Sequence, residues 1–304
     1  MSFNAAAVPI HRVLPVFALT FNALVWGLSW WPLRQFELRG LHPLWTTLIV
    51  YLLAVGVIVL VRPKAVAQLL RTPALWVLVL AAGTTNASFN WGVVIGDVVR
   101  VVLLFYLMPL WAALLARWLL HEPLTRAAGA RVLLALVGAM LVLWPPGAVG
   151  WSNLPIPRSL PDWLGVIGGL SFALNNVMLR RERRRPEEGR ALAMFFGGAM
   201  VSGVLAVALA SQGQMPWVPA PDWTWLLGAM LMSVSFLFGN LALQYGAARL
   251  PANVTSVVML TEVVFASASA LALGGGSLTL SLLMGGLLIL AAALLSAFEP
   301  APAH

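Results

Sequence analysis

The chain has no cysteine, a single lysine (Lys64), and charged side chains on only 9 % of its 304 residues, against about 25 % in a soluble domain. Without thiols it can form neither a structural disulfide nor a thiolate metal site. Lys64 has no glycine-rich turn before it, so no P-loop and no ATP site are legible. Histidine is scarce as well: His11, His42, His121 and His304 stand at the ends of hydrophobic runs or at the termini. That leaves no histidine base and no metal cluster inside the apolar segments. There is no G-x-S-x-G, and His121-Glu122-Pro123 does not open an HExxH. No catalytic residue, metal or cofactor is expected, and an intramembrane enzyme is the weakest class.

What fills the chain is apolar: 61 % of its residues are hydrophobic. A soluble fold has no place for that much apolar surface, whereas a bilayer takes about 20 apolar residues per crossing helix. We read ten spans, at 14–33, 42–61, 74–95, 98–118, 127–145, 162–180, 191–211, 223–245, 251–273 and 278–298. The faintest boundaries are Gly96-Asp97, between the third and fourth, and the Gly274-Gly275-Gly276 run between the ninth and tenth. His11 and Arg12 lead into a run too long for a signal-peptide core, so the first helix is expected to stay in the mature protein.

The formal charge of +8 does not point to nucleic acid, because the basic residues sit between hydrophobic runs, where they fix topology. With a cytoplasmic N-terminus, 14 of the 18 fall inside, and only Arg34, Arg39, Arg100 and Arg158 fall outside. Both termini are therefore expected in the cytoplasm. The run RRERRRPEEGR at 180–190 reads as an inner loop that pins this orientation. Most tryptophans, among them Trp31, Trp45, Trp163, Trp217, Trp223 and Trp225, fall near span ends, as interfacial belts require. Trp26 lies deeper, on one helical face with Asn22 and Trp30.

Sliding the chain by 154 residues lays 97–125 on 251–279 without a gap. That offset pairs Asn86 with Asn240, Asn90 with Gln244, and Leu124-Thr125 with Leu278-Thr279; an offset of 142 pairs Gly27-Leu28-Ser29 with Gly169-Leu170-Ser171. Five helices form an odd unit, so a second copy enters from the other side. The expected fold is an all-α integral membrane protein of ten transmembrane helices in two inverted five-helix repeats, at 1–148 and 162–304, joined by an external loop at 149–161. Transporters use such repeats to build two access states around a site near the midplane.

Polar side chains inside hydrocarbon should face a partner or a wet cavity. Asn86 and Asn90 share a face of the third span, Ser171 and Asn175 of the sixth, and Ser233, Asn240 and Gln244 of the eighth. They read either as the lining of a cavity or as bonds between helices worth about 0.6 kcal/mol each. Glu262 is the one acidic residue near a span centre. A carboxylate there costs about 2.5–3.5 kcal/mol on insertion scales, so it is read as a proton carrier, a contact for a substrate ammonium, or a structural carboxyl bonded to a neighbouring helix. Pro109 should kink the fourth span and free a carbonyl near Tyr106; its counterpart is Val263, so the halves are expected to differ at this depth.

The stretches WGLSWWPLRQ in the first span, FNWGVVIGDVVRVVLLFYLMPLW at 89–111 and TEVVFASASALALGGGSLT in the ninth resemble the EamA-type branch of the drug/metabolite transporter superfamily, and within it the bacterial aromatic amino-acid exporters. The resemblance implies the ten-helix inverted repeat, a bacterial inner-membrane location, and export of aromatic and other small amphipathic amino acids. Members of that branch commonly carry Glu-Pro at the position of Glu262 and Gly-Glu ahead of the tenth helix. Here Val263 replaces the proline and Gly275-Gly276 stands where that glutamate would be, although Glu122 keeps it in the first repeat. On this reading Asn86, Asn90, Ser171, Asn175, Asn240 and Gln244 would bond the substrate's ammonium and carboxylate, and Trp26 and Tyr106 would receive its ring. The expected partners are an aromatic amino acid and the lipid bilayer, with no nucleic acid, and the chain is expected to act as a monomer. A broader efflux carrier of the same superfamily, and a channel, are the alternatives.

Overall fold

The computed structural model describes residues 10–96, 98–144, 157–273 and 279–297. The Gly274–276 run, Asp97 and residues 149–156 of the expected external loop lie outside the described residues. All regular structure among the described residues is helical. The elements are α1 (Ile10–Leu38), α2 (Pro43–Val61), α3 (Lys64–Arg71), α4 (Pro73–Ile95), α5 (Val98–Phe105), α6 (Met108–Leu119), α7 (Arg126–Leu143), α8 (Leu160–Arg181), α9 (Glu187–Ser211), α10 (Trp223–Arg249), α11 (Ala252–Met259), α12 (Thr261–Ala272) and α13 (Leu280–Ala297).

Six spans among the described residues are long and apolar enough to cross a membrane: α1, α2, α5 with α6, α9, α10, and α11 with α12. A seventh is added if α3 and α4, bent by 98°, count as one; α13 is a shorter apolar helix, and α7 and α8 fall outside the set. Large apolar side chains such as Leu60, Leu80, Leu133, Val204, Leu231 and Phe238 are exposed on the outside of the bundle. That surface suits hydrocarbon rather than water.

Local chemistry sets the helix ends. His42 Nδ1 accepts the Leu44 N–H at 3.2 Å ahead of α2, and Thr125 Oγ1 accepts the Ala128 N–H at 3.0 Å ahead of α7. The Asp162 carboxylate reaches back to the N–H groups of Arg158 and Ser159, closing the start of α8. α3 is a correction to the sequence reading, which took Lys64 and Arg71 as loop residues. Pro63 and Pro73 bound a short amphipathic helix whose Ala65 and Leu69 are buried, and Gln68 on it donates to Glu188 at 3.2 Å. Trp45 and Trp225 stand in the first turns of α2 and α10, where both are buried, donating to the carbonyls of Pro216 and Ala220.

The repeat reappears in three dimensions. Shifted by 154 residues, α5 falls on 252–259 and α7 on 280–297, the bounds of α11 and α13. The contacts exchange in the same way. α8 of the second half packs against α4, α5 and α6 of the first, and α1 of the first packs against α10, α11 and α12 of the second. Each half thus lends its first helix to the other, and α7 packs directly on α13.

Both central spans are interrupted at the same depth. α5 stops at Phe105 and α6 opens at Met108 with Pro109 in its first turn; α11 stops at Met259 and α12 opens at Thr261. Tight three-residue bonds hold the joints, Leu107 N–H to Leu104 O and Leu110 N–H to Leu107 O in one, Leu260 N–H to Val257 O and Val263 N–H to Leu260 O in the other. The expected contrast between Pro109 and Val263 is therefore absent: the second break forms without a proline.

Each joint is covered by a glycine of the lent helix. A Cβ at Gly169 on α8 would lie 2.3 Å from the carbonyl oxygen of Phe105, and one at Gly27 on α1 would lie 2.8 Å from the carbonyl oxygen of Glu262. Pro109 offers no N–H to the Phe105 carbonyl, so backbone rather than side chain must come close there. Gly169→Ala is expected to destabilise the protein by about 1–3 kcal/mol through overpacking. Gly56→Ala, with nothing within 4 Å, should be neutral or stabilising by up to about 1 kcal/mol. Thermal unfolding of the detergent-purified variants checks the contrast.

Candidate functional site

Between the two joints lies a cavity whose empty volume is about 800 Å³, open space at its mouth included. It is lined from both halves: Asn22 and Trp26 on α1, Tyr51 on α2, Asn86, Phe89 and Asn90 on α4, and Phe105 from the first; Phe172 and Asn175 on α8, Phe195 on α9, Phe236 and Asn240 on α10, and Glu262 from the second.

Aromatic rings form its walls. Trp26 stacks on Phe236 with centroids 4.5 Å apart, and Tyr51 meets Phe195 edge-on at 5.0 Å. Phe105 joins Phe89 at 4.9 Å and Phe172 at 5.9 Å in a second group. Such pairs are worth about 0.5–1.5 kcal/mol beyond area burial and hold the walls rigid.

The amides divide into two kinds. Asn22 Nδ2 donates to Gly239 O at 2.8 Å, Asn86 receives the Tyr51 hydroxyl at 3.0 Å, and Asn90 Nδ2 donates to Thr47 Oγ1 at 2.6 Å. These side chains both face the cavity and tie helices together, so the lining and the interhelical bonds are the same residues. Asn175 is different. It is 1 % exposed, and neither its Nδ2 nor its Oδ1 has a hydrogen-bond partner. A buried polar group left unpaired costs about 1–3 kcal/mol, which a ligand entering the cavity could recover.

Glu262 is the one charged side chain in the described lining, and its partner is the hydroxyl of Tyr106. That bond crosses from one joint to the other. Among the described residues no group of three His, Asp or Glu side chains could hold a metal ion.

The structure thus brings Trp26, Asn86, Asn90, Asn175, Asn240 and Glu262 to one cavity. Tyr106 stands behind the wall on Glu262, and Ser171 does not reach the lining. Gln244 turns away: its amide lies 2.7 Å from Asn240 and, oriented to suit its neighbours, bonds the Glu187 carbonyl at 3.2 Å and the Ala191 N–H at 3.3 Å. Pro109 sits in the first turn of α6 and shapes the joint without lining the cavity. Sequence reasoning missed Tyr51, Phe172 and Phe236. The last two lie three and four residues before Asn175 and Asn240, so the spacing that grouped the amides also contained them.

The two ends of the cavity differ. A smaller pocket shares Trp26, Tyr51, Asn86, Asn90 and Phe236 with it and continues along Thr46 and Thr47 at the start of α2. Toward the other face, Ala116, Val177 and Ala252 form a dry layer. Beyond that layer, Arg180 Nε lies 3.5 Å from Glu122 Oε1, Arg180 Nη1 donates to Ala248 O at 2.8 Å, and the Ala252 N–H donates to Glu122 Oε2 at 3.3 Å. The arginine-rich face is closed by contacts between the halves.

An apolar bundle of two exchanged repeats around an internal, ring-lined cavity with a few amides and one carboxyl fits a multi-pass membrane transporter of small molecules. The profile of the EamA-like transporter family matches twice, over residues 13–144 and 159–298, and the chain belongs to that family. No curated protein matches the sequence. Solved structures do: a crystal structure of a protein with no stated function aligns at 18 % identity with a TM-score of 0.73, covering 92 % of this chain and 95 % of its own, which shows the fold.

Because Asn175 has no internal partner, Asn175→Ala should leave stability within about 0.5 kcal/mol while weakening transport. Asn22→Ala, which loses the bond to Gly239, should cost about 1 kcal/mol. Thermal unfolding and uptake measured on the same preparations separate the two roles.

Proposed function

We propose that this transporter exports aromatic and other small amphipathic amino acids across a bacterial inner membrane by alternating access. In this reading ten crossings form two inverted repeats, at residues 1–148 and 162–304, with both termini cytoplasmic and a monomer as the working unit. The carrying observation is the cavity itself. Ring-lined walls from both halves surround one buried amide without partners, Asn175, and a single carboxyl, a combination that suits a ligand with one aromatic ring and one ammonium group.

Transport would follow from the two joints. The Arg180–Glu122 contacts close one face while the cavity continues toward the other. Movement of the lent helices α1 and α8 over the broken spans would open the first face and close the second. Glu262 would hold the substrate ammonium or a proton, passing its hydrogen bond between Tyr106 and the ligand.

A second reading is favoured by one observation. The described lining holds no Arg, Lys or His to meet a carboxylate. A broader carrier of amphipathic amines therefore competes with the amino-acid exporter. Purified protein in liposomes preloaded with unlabelled phenylalanine should accumulate labelled phenylalanine or tryptophan in saturable counterflow. Movement of phenethylamine without phenylalanine would replace the amino-acid reading by the amine reading, and flux that never saturates would indicate a channel. If protons drive export through Glu262, Glu262→Gln should abolish stimulation by an imposed pH gradient and leave exchange largely intact; unchanged stimulation would remove that role.

A further inference from the structure

The arginine run that links α8 to α9 does more than pin topology. It frames a second cavity, separate from the central one, where α8 and α10 end and α9 begins. Its lining is Arg183, Arg184, Arg185, Arg190 and Arg249 with Pro186, Glu187 and Ala248, around about 790 Å³ of empty space that includes the open side. Five arginines thus line a space that has a single carboxylate in its lining.

The acidic neighbours neutralise the cluster only in part. Glu182 is taken by Arg185, with Arg181 4.0 Å away on its other oxygen. Glu188 accepts from Gln68 of α3. Glu187 lies 3.9 Å from Arg190 Nη2 and is half exposed. Arg249 is fixed by its own helix, donating to Tyr245 O at 3.0 Å with its guanidinium carbon 3.7 Å from the centre of the Tyr245 ring, and it repels Arg190.

Arg190 carries the argument furthest. It is 1 % exposed, its Nη1 donates to Leu179 O at 3.3 Å, and its Nε is buried without any hydrogen-bond partner. A buried guanidinium N–H left without an acceptor is unfavourable unless a further acceptor arrives. The N-terminus of α9 opens at the same place: its cap residue, Pro186, supplies no side-chain acceptor, and Glu188 in the first turn accepts its own backbone N–H. Guanidinium forks are suited to holding a tetrahedral oxyanion.

We propose that the cavity at the α8–α9 link binds a phosphate group, supplied by the headgroup of an anionic lipid or by free phosphate. The site lies where apolar helices end, and basic clusters beside membrane helices attract anionic lipid. A bound headgroup would join the ends of α8 and α10 to the start of α9, tying three helices of the second half at one face.

The full chain in detergent is titrated with short-chain phosphatidylglycerol, with short-chain phosphatidylcholine and with inorganic phosphate against sodium chloride at matched ionic strength, and the thermal midpoint is followed. The variants are Arg190→Gln and the double variant Arg183→Ala with Arg184→Ala, whose side chains are exposed and leave the fold intact. Phosphatidylglycerol should stabilise the wild type at a concentration at least tenfold lower than in either variant, with phosphatidylcholine much weaker. If inorganic phosphate shows the same ratio, the phosphate group alone is the ligand; if only phosphatidylglycerol does, the ligand is the lipid. Equal responses of wild type and double variant to every ligand would overturn the proposal, and the double variant decides alone if Arg190→Gln does not fold.

Discussion

The constraint on which this structure depends is the cost of an interrupted helix in an apolar bundle. Inside hydrocarbon every backbone N–H and C=O needs a partner within the protein, so a break is tolerated only where other protein covers it. Here both central spans break at the same register, α5 to α6 and α11 to α12. The covering comes from the opposite half in each case, Gly169 of α8 over Phe105 and Gly27 of α1 over Glu262. Exchange of the first helices follows from that need. The cavity follows too, since helices that turn at mid-depth cannot fill the centre.

Part of the buried polarity lies where the halves meet. Asn22, Asn86 and Asn90 bond across helices while facing the cavity, and the Tyr106–Glu262 bond runs from one joint to the other. A ligand that competes for Glu262 alters a contact between the halves without breaking either half internally. That is the coupling a carrier requires: binding free energy spent at the interface that must rearrange. The Arg180–Glu122 contacts on one face are the other part of the same interface.

The duplication was legible because polar residues stand out in an apolar chain: Asn86 on Asn240 and Gly27 on Gly169 mark equivalent places in both sequence and structure. Six of the expected site residues meet in one cavity for the same reason, their helical spacing placing them on inward faces. The aromatic walls were not legible, since Phe172 and Phe236 have no contrast with the apolar residues around them. Nor was the break at Leu260, which has no proline to announce it and is imposed by packing on α1. Gln244 shows the limit of repeat logic. Its partner Asn90 faces the cavity, but the start of α9 lies beside Gln244 and offers Glu187 and Ala191 as nearer partners. α3 was hidden because a helix of eight residues is too short to show a period clearly.

Alternation of the cavity between two faces is the central claim, and the absence of cysteine allows it to be tested on an otherwise native chain. Thr85→Cys places one thiol of nearly the same size in the cavity lining. In oriented vesicles a membrane-impermeant maleimide should label it from the face opposite the arginines, and substrate cycling should open labelling from the arginine face while slowing it from the other. Labelling from one face alone under every substrate condition, or from both faces equally without substrate, would contradict alternating access.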